Sequence, residues 1–153
     1  MKVYLTRRYL FSASHRLHNP ALSDAANCET YGKCNHPYGH GHNYFLEVTV
    51  SGPIAPDTGM LCDLAALDSA VSREVLSRFD HQNLNQLQDF SSIIPTTENL
   101  AIQIQQILSR TSLPAHLEGI RIEETSNNSF EYAGHQLPRS LSHMQGVEHD
   151  GSR

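Results

Sequence analysis

Apolar and polar residues alternate along residues 3–15, and this period of two is typical of a strand with one buried face. The apolar positions share one parity, and they are Val3, Leu5, Tyr9, Phe11 and Ala13. His15 continues that parity, so we expect its imidazole to point toward the core. Residues 42–51 alternate in the same way, and residues 117–125 and 129–133 predict two further strands.

Apolar residues recur at steps of three and four along residues 63–79, which predicts an amphipathic helix with Asp63 as its N-cap. A second helix is predicted to begin after Thr96 or Thr97, either of which could cap it. Residues 16–39 are rich in Asn, Pro, Gly and Ser and predict a long loop. The order β-β-α-α-β-β predicts an α+β fold, with two helices on one face of a four-stranded antiparallel sheet.

The composition is that of an ordinary globular protein. The chain has 153 residues, of which 39% are apolar and 18% are charged, and this length fits one domain. Beyond Gly134 the sequence turns polar. We therefore predict a single domain over residues 1–134 and a tail over residues 135–153 that is disordered or used in assembly.

Charge and hydropathy argue against two classes of partner. The formal net charge is −5 and no basic block occurs, so we expect no nucleic acid partner. No apolar run approaches the roughly 20 residues that a membrane-spanning helix needs, so we expect no membrane partner. The first residues enter a strand pattern without the apolar core of a signal peptide, which predicts a cytoplasmic protein.

Histidine is unusually frequent, with ten residues, whereas there are only three cysteines. Cys28, Cys34 and Cys62 form an odd count without the spacing of a disulfide framework, so we interpret them as free thiols.

The sharpest local motif is His40-Gly41-His42. Residues two apart on a strand point to the same face, so both imidazoles can bind one ion. His15, at the end of the neighbouring strand, is the natural third ligand. Three protein ligands with one open position are typical of a catalytic zinc site. A His-x-His pair also occurs on surfaces that bind no metal, and the residues alone leave that alternative open.

Cys34 lies six residues before His40 and admits three interpretations. As a fourth ligand, it would close a structural zinc site. As a thiolate beside a cation, it would be an activated base or nucleophile. It could also be an inert thiol in a loop.

Asp80 and His81 open the loop after the first predicted helix. An aspartate can orient an imidazole and stabilise its cationic form, which is useful in acid–base catalysis. A histidine at the end of a helix can also simply favour the helix dipole.

Glu124 continues the inward parity of Ile120 and Ile122, whereas Glu123 should face solvent. A buried carboxylate needs hydrogen-bond donors, which a ligand with N–H groups would supply. The alternative is a partly exposed carboxylate at the end of a strand. Basic residues near these segments could attract a phosphate-bearing substrate or could simply be solvated, and they are Arg7, Arg8, Arg16 and Lys33.

Several motifs occur in one order along residues 3–134. They are Phe11-Ser12-Ala13-Ser14-His15-Arg16-Leu17, Gly32-Lys33-Cys34-Asn35, Gly39-His40-Gly41-His42-Asn43-Tyr44, Asp80-His81-Gln82-Asn83-Leu84, Thr96-Thr97-Glu98-Asn99 and Glu124-Thr125. On these motifs the chain resembles the 6-pyruvoyl-tetrahydropterin synthase family. The resemblance implies the tunnelling fold, in which three four-stranded sheets close into a twelve-stranded barrel and two trimers stack into a homohexamer. This assembly would cover the sheet edges and place the active sites at subunit interfaces.

The resemblance also implies a reaction, the conversion of 7,8-dihydroneopterin triphosphate to 6-pyruvoyl-tetrahydropterin with release of triphosphate and an internal redox shift. It implies that Zn2+ is held by three ligands, His15, His40 and His42, with substrate hydroxyls completing the coordination. The residues that match the family's proton-abstracting base and its partners are Cys34, Asp80 and His81. The residues that match its pterin contacts are Glu124, Thr96 and Thr97, and Arg16 is our candidate for binding phosphate.

Two sister activities resemble this chain less. The 6-carboxy-tetrahydropterin synthase of the queuosine branch usually has three residues between the cysteine and His-Gly-His, whereas residues 35–39 make five here. A folate-branch variant has Glu at the position of Cys34. Both differences favour the pyruvoyl activity, although Ser126 stands where the family often has Asp. A non-catalytic module stabilised by zinc is the third alternative.

Overall fold

The computed structural model of the protein describes residues 1–133. Two long antiparallel strands form its centre. Strand β1 is Val3–His15 and strand β2 is His40–Gly52. The two strands pair without a break, from Val3 opposite Gly52 to His15 opposite His40. The predicted alternation is confirmed, since Phe11, Ala13 and His15 are all buried.

Three further strands complete the sheet. Strand β3 is Gln82–Asn83, β4 is His116–Thr125 and β5 is Asn128–Ala133. The strand order is β3-β1-β2-β4-β5. All neighbours are antiparallel except β3, which pairs in parallel with the end of β1. The α+β class is confirmed, but the four-stranded antiparallel sheet is wrong, because a fifth strand of only two residues joins it.

The two predicted helices both pack on one face of the sheet. The first, α2, runs through Leu64–Val71, a π-helical segment Ser72–Leu76 and a last turn Ser77–Phe79. Asp63 caps it as predicted, because its Oδ1 accepts from the N–H groups of Ala65 and Ala66. The second, α3, is Thr97–Arg110. The cap that the sequence left open is Thr96, whose Oγ1 accepts from the Asn99 N–H.

The predicted loop over residues 16–39 contains a helix, so that interpretation is wrong in part. Helix α1 is Asp24–Tyr31, and a 3-10 turn, Gly32–Asn35, follows it. Ser23 caps α1 by accepting from the Ala26 N–H. Short 3-10 turns also occur at Leu84–Gln86 and Gln88–Phe90. The predicted order β-β-α-α-β-β therefore lacks α1 and β3.

The core lies between the sheet and helices α2 and α3. Its fully buried side chains include Leu46 of β2, Val71 of α2, Ile104 of α3 and Ile122 of β4. Burial of such a side chain contributes about 1.5–3 kcal/mol. Within residues 1–133, no helix is long and apolar enough to cross a membrane. The predicted tail over residues 135–153 lies outside the described residues, and the boundary at residue 134 stays a prediction.

Candidate metal centre and active site

Three imidazoles converge on the helix-covered face where β1 ends and β2 begins. His15 faces His40 directly across the strand pair, and His42 is opposite Ala13 on the same face. One nitrogen of each ring lies within 4.8 Å of the others. The parity of the sequence therefore placed these three side chains together correctly.

The geometry of the triad fits a tetrahedral metal ion such as zinc. The Nε2 atoms of His15 and His40 are 3.0 Å apart. Two ligands at about 2.0–2.1 Å from a shared tetrahedral centre would be roughly 3.3–3.4 Å apart, so small movements suffice. The Nε2 of His42 is buried and lacks a hydrogen-bond partner within the described chain. A buried nitrogen without a partner is costly, and a cation would satisfy it.

A backbone carbonyl orients the first of these ligands. His15 is only 2% exposed, and its Nδ1 lies 2.7 Å from the carbonyl oxygen of Pro95. Because a carbonyl only accepts, Nδ1 must carry the proton, which leaves the Nε2 lone pair free for a metal. Such a partner fixes both the tautomer and the ring orientation of a metal ligand.

Burial favours the neutral form of two of these imidazoles, those of His15 and His42. It lowers the pKa of His15 below its ordinary value, and the neighbouring imidazoles add to that effect. Burial also lowers the pKa of His42, against an opposing influence from Glu124. A neutral imidazole is the form that binds metal, so both residues are prepared for this role at neutral pH.

Gly39 allows the two strands to meet at the triad. It has φ +72, and a Cβ at this position would lie 2.7 Å from the carbonyl oxygen of His15. Only glycine combines this conformation with so close a backbone approach. A Cβ on Gly41 would lie 3.2 Å from the Ala13 carbonyl oxygen, a tight contact on the opposite face of the strand.

A carboxylate borders the metal centre. The Oε1 of Glu124 is 3.6 Å from His42 Nε2 and accepts a hydrogen bond of 2.5 Å from the Thr97 hydroxyl. The Glu124 side chain is 16% exposed, so one edge of the carboxylate remains accessible. Glu123 instead contacts Arg8 and Arg121 on the helix-free face. The structure thus separates the two carboxylates as their parities predicted.

Cys34 lies near Glu124, the carboxylate that borders the triad. Burial raises the pKa of its thiol above the ordinary value, and the negative charge of Glu124 adds to this. The Leu17 N–H donates to the Cys34 carbonyl at 2.9 Å, which ties this turn to the end of β1. Among the described residues, the group of side chains close enough to bind one metal ion consists of the three histidines and does not include Cys34.

Asp80 and His81 form a pair that is anchored to β1 through the Ser12 backbone. The Asp80 carboxylate accepts from the Ser12 N–H at 2.8 Å and contacts His81 Nδ1 at 2.9 Å. The Ser12 hydrogen bond holds the pKa of Asp80 below its usual range. His81 lines a cavity of about 560 Å3 with Ser12, Gly41 and the triad residue His42. Within residues 1–133, no hydrogen bond or ion pair joins this Asp-His pair to Cys34.

The remaining predicted residues divide in two. Thr97 contacts Glu124, whereas Thr96 is the helix cap. Arg16 lies beside the triad, at the edge of a second cavity of about 340 Å3 that His15 also lines.

Sequence reasoning missed three contributors to this site. Pro95 contributes only a carbonyl, which has no signal in the sequence. Tyr44 was named only as part of a motif, yet its buried ring lies 5.5 Å from that of His42 and its hydroxyl lacks a hydrogen-bond partner in the described chain. Asn35 is buried, and its carbonyl accepts from Arg16 Nε. Its position directly after Cys34, within a motif, was the signal in the sequence that could have identified it.

Comparison with known proteins identifies the family. The model of the 6-pyruvoyl tetrahydropterin synthase family matches residues 4–135. The chain is 46% identical over 133 residues to the 6-pyruvoyl tetrahydrobiopterin synthase of Drosophila melanogaster, covering 86% of this chain and 79% of that protein. It is 48% identical over 133 residues to the protein of that name from Poecilia reticulata, covering 86% of this chain and 90% of the other.

A solved structure agrees with these relatives. The fold matches that of Caenorhabditis elegans 6-pyruvoyl tetrahydropterin synthase with a TM-score of 0.82 and 44% sequence identity. The match covers 88% of this chain and 97% of that chain. The chain therefore belongs to the 6-pyruvoyl tetrahydropterin synthase family, and the prediction from its motifs of an enzyme of this type is confirmed.

Proposed function

We propose that this chain is a zinc-dependent lyase that converts 7,8-dihydroneopterin triphosphate to 6-pyruvoyl-tetrahydropterin with release of triphosphate. The observation that carries the proposal is the convergence of His15, His40 and His42 beside an accessible carboxylate, in a chain of this family. Zinc bound there would acidify a substrate hydroxyl and stabilise negative charge on the reacting side chain.

Glu124 binds the pterin ring in this proposal. Its accessible carboxylate edge can accept from ring N–H groups, while the Thr97 hydroxyl holds its other edge in place. Charge-assisted hydrogen bonds of this kind are about twice as strong as neutral ones. The ring is thereby oriented with its side chain toward the triad.

Cys34 acts as the base that removes a proton from the substrate side chain. Its thiol is held in the protonated form by burial and by Glu124, so it needs a nearby positive charge to ionise. A cation held by His15, His40 and His42 would supply that charge.

Asp80 and His81 reach Cys34 from a neighbouring copy. Within residues 1–133 of one protomer, the Asp-His pair makes no hydrogen bond or ion pair with Cys34, whose thiol is influenced by Glu124 instead. Among the described residues, β5 ends the sheet on one side, and residues 3–11 of β1 pair on one side only. These open edges are available for pairing between copies, as a homohexamer made of two trimers with shared active sites would require.

The proposed role of Cys34 as the base is tested by replacing its side chain. Cys34→Ala should retain zinc and lose turnover of dihydroneopterin triphosphate, whereas the matched control Cys62→Ala, in a partly buried thiol away from the triad, should keep it. Undiminished turnover by Cys34→Ala would refute the role of this thiol.

The shared site is tested by mixing variants. Cys34→Ala and His81→Ala should each be inactive alone. Random mixed assemblies should regain activity, since about one site in four would combine an intact cysteine with an intact histidine of a neighbouring copy. Failure of every mixture to regain activity, with mixed oligomers demonstrated, would contradict the shared site.

A further inference from the structure

The cavity of about 340 Å3 beside the metal centre is lined by polar side chains and by one cationic residue, Arg16. Arg16 and His18 line it from the segment that follows β1, and Asn85 lines it from the turn that follows β3. His15 lines the same cavity, so this space is continuous with the metal centre. Its volume is roughly ten times that of a water molecule, which is room for an extended anion.

The Arg16 guanidinium is held in place and yet remains free to bind. Its Nε donates to the Asn35 carbonyl at 3.0 Å. Neither of its two Nη atoms has a hydrogen-bond or ion-pair partner in the described part of the chain. No carboxylate lines the cavity. A guanidinium with free terminal N–H groups is the side chain best suited to bidentate contact with phosphate.

Asn85 fixes the backbone from which that guanidinium extends. Its Oδ1 accepts from the Arg16 N–H at 2.7 Å, and its Nδ2 donates to the Arg16 carbonyl at 2.8 Å. One amide thus satisfies both backbone groups of a single residue. This contact also ties the turn after β3 to the end of β1, immediately after the metal ligand His15.

His18 presents a second donor to the cavity. The Nδ2 of Asn35 lies 2.7 Å from the Leu17 carbonyl oxygen and 3.0 Å from His18 Nδ1. The contact with a carbonyl identifies this atom as the donating amide nitrogen, so His18 Nδ1 must accept. The proton of the neutral ring therefore lies on Nε2, which can donate to an anion.

We propose that this cavity is the subsite for the substrate's triphosphate, with Arg16 and His18 as its ligands and Asn85 as a positioning residue for Arg16. The inference rests on the proposed function. In neopterin triphosphate, the phosphate-bearing carbon is directly bonded to a hydroxyl-bearing carbon. Hydroxyls held at the triad therefore place the triphosphate within a few ångströms, beside His15. The larger cavity of about 560 Å3 near His81 also borders the metal centre, through His42, but it is lined by neither Arg nor Lys, so Arg16 favours the smaller cavity.

The test measures what the phosphates contribute to binding, with no turnover required. Dissociation constants of oxidised neopterin and oxidised neopterin triphosphate are measured on the zinc-loaded protein by calorimetry. Their ratio isolates the phosphate contribution from that of the pterin and the hydroxyls. Arg16→Gln should reduce this ratio at least tenfold, which corresponds to the loss of one charge-assisted contact. Arg110→Gln removes an equal charge at the exposed end of α3 and should leave the ratio unchanged.

The other two residues have variants that separate binding from folding. His18→Asn keeps an acceptor near the Nδ1 position and removes the Nε2 donor, so the ratio should fall several-fold, whereas His18→Gln should restore most of it. Asn85→Ala should lower the ratio while neopterin binding, zinc content and melting temperature stay near wild-type values. A merely structural role for Asn85 would weaken both ligands equally.

The outcomes distinguish failure of this inference from failure of the proposed function. An unchanged ratio in Arg16→Gln and His18→Asn, with normal neopterin binding, would overturn the subsite alone. If neopterin does not bind at all, the proposed function fails, and magnesium tripolyphosphate becomes the probe. Binding of that probe by the wild type and its loss in Arg16→Gln would support the subsite, whereas no binding would overturn it.

Discussion

Replacement of Gly39 by alanine tests the backbone geometry of the metal centre. Gly39 has φ +72, and Gly59 has the closely similar value of +69. A Cβ on Gly59 would meet nothing within 4 Å, whereas a Cβ on Gly39 would lie 2.7 Å from the His15 carbonyl oxygen. Gly59→Ala is therefore a matched control that changes the backbone preference without the steric clash.

The magnitudes follow from these two features. Either alanine costs about 1–2 kcal/mol for the left-handed conformation. In Gly39→Ala the contact must also widen from 2.7 Å to at least the 3.4 Å of ordinary contact. Overpacking of this kind adds about 1–3 kcal/mol. The displacement falls on the backbone of His15 and exceeds the roughly 0.5 Å tolerance of a preorganised site, so zinc affinity should fall about tenfold or more.

Two assays measure these effects. Urea denaturation of the metal-free proteins gives the free energy of unfolding, and competition with a chromophoric chelator gives the zinc dissociation constant. Gly39→Ala should be less stable than Gly59→Ala by about 1–3 kcal/mol and should alone bind zinc more weakly. Equal zinc affinity in the two variants would refute the claim that Gly39 sets the position of His15.

Two other predictions concern the chemistry of the site. Burial lowers the pKa of His15 and His42 below 6.5, so the unfolded chain binds more protons than the folded chain as the pH falls below that value. The free energy of unfolding of the metal-free protein, measured by urea denaturation, should therefore fall as the pH is lowered from 7.5 to 5.5. The fall should be less steep in His42→Gln. An identical pH dependence in that variant would contradict a lowered pKa of His42. Glu124→Gln should weaken neopterin binding about 10–100-fold by calorimetry while zinc stays bound, since it removes a charged acceptor. Glu123→Gln should bind neopterin as the wild type does, and equal losses in the two variants would count against Glu124.

The sequence predicted the parts of this site that depend on strand parity. His15, His40 and His42 share a face for two reasons. His40 and His42 are two residues apart on β2, and His15 lies directly opposite His40 on β1. The same rule separated Glu124 from Glu123. Parity is a local property of a strand, so a single sequence contains it in full.

The missed elements depend on contacts that are distant in sequence. The two residues of β3 pair with β1 because Asp80 and His81 both hydrogen-bond to the Ser12 backbone. Helix α1 has little apolar periodicity, and its buried Asn27 amide instead donates to three carbonyls around the preceding turn, those of Asn19, Leu22 and Ser23. Such polar organisation of a loop leaves no hydrophobic pattern to detect.

Neither the sequence nor the structure of a single protomer determines how close Cys34 lies to Asp80 and His81 in an assembly. The motifs identify all three residues, and within the described part of one protomer the Asp-His pair contacts Ser12 but makes no hydrogen bond or ion pair with Cys34. In the proposed function their meeting depends on assembly, so oligomer mixing tests that proposal better than any single variant does.

The most direct test of the proposed function is product analysis. Zinc-loaded protein is incubated with 7,8-dihydroneopterin triphosphate, and triphosphate and the pterin product are identified by mass spectrometry. The account predicts one triphosphate released for each 6-pyruvoyl-tetrahydropterin formed, with no product from protein stripped of metal. A 6-carboxy product, or substrate that stays intact in the presence of zinc, would contradict it.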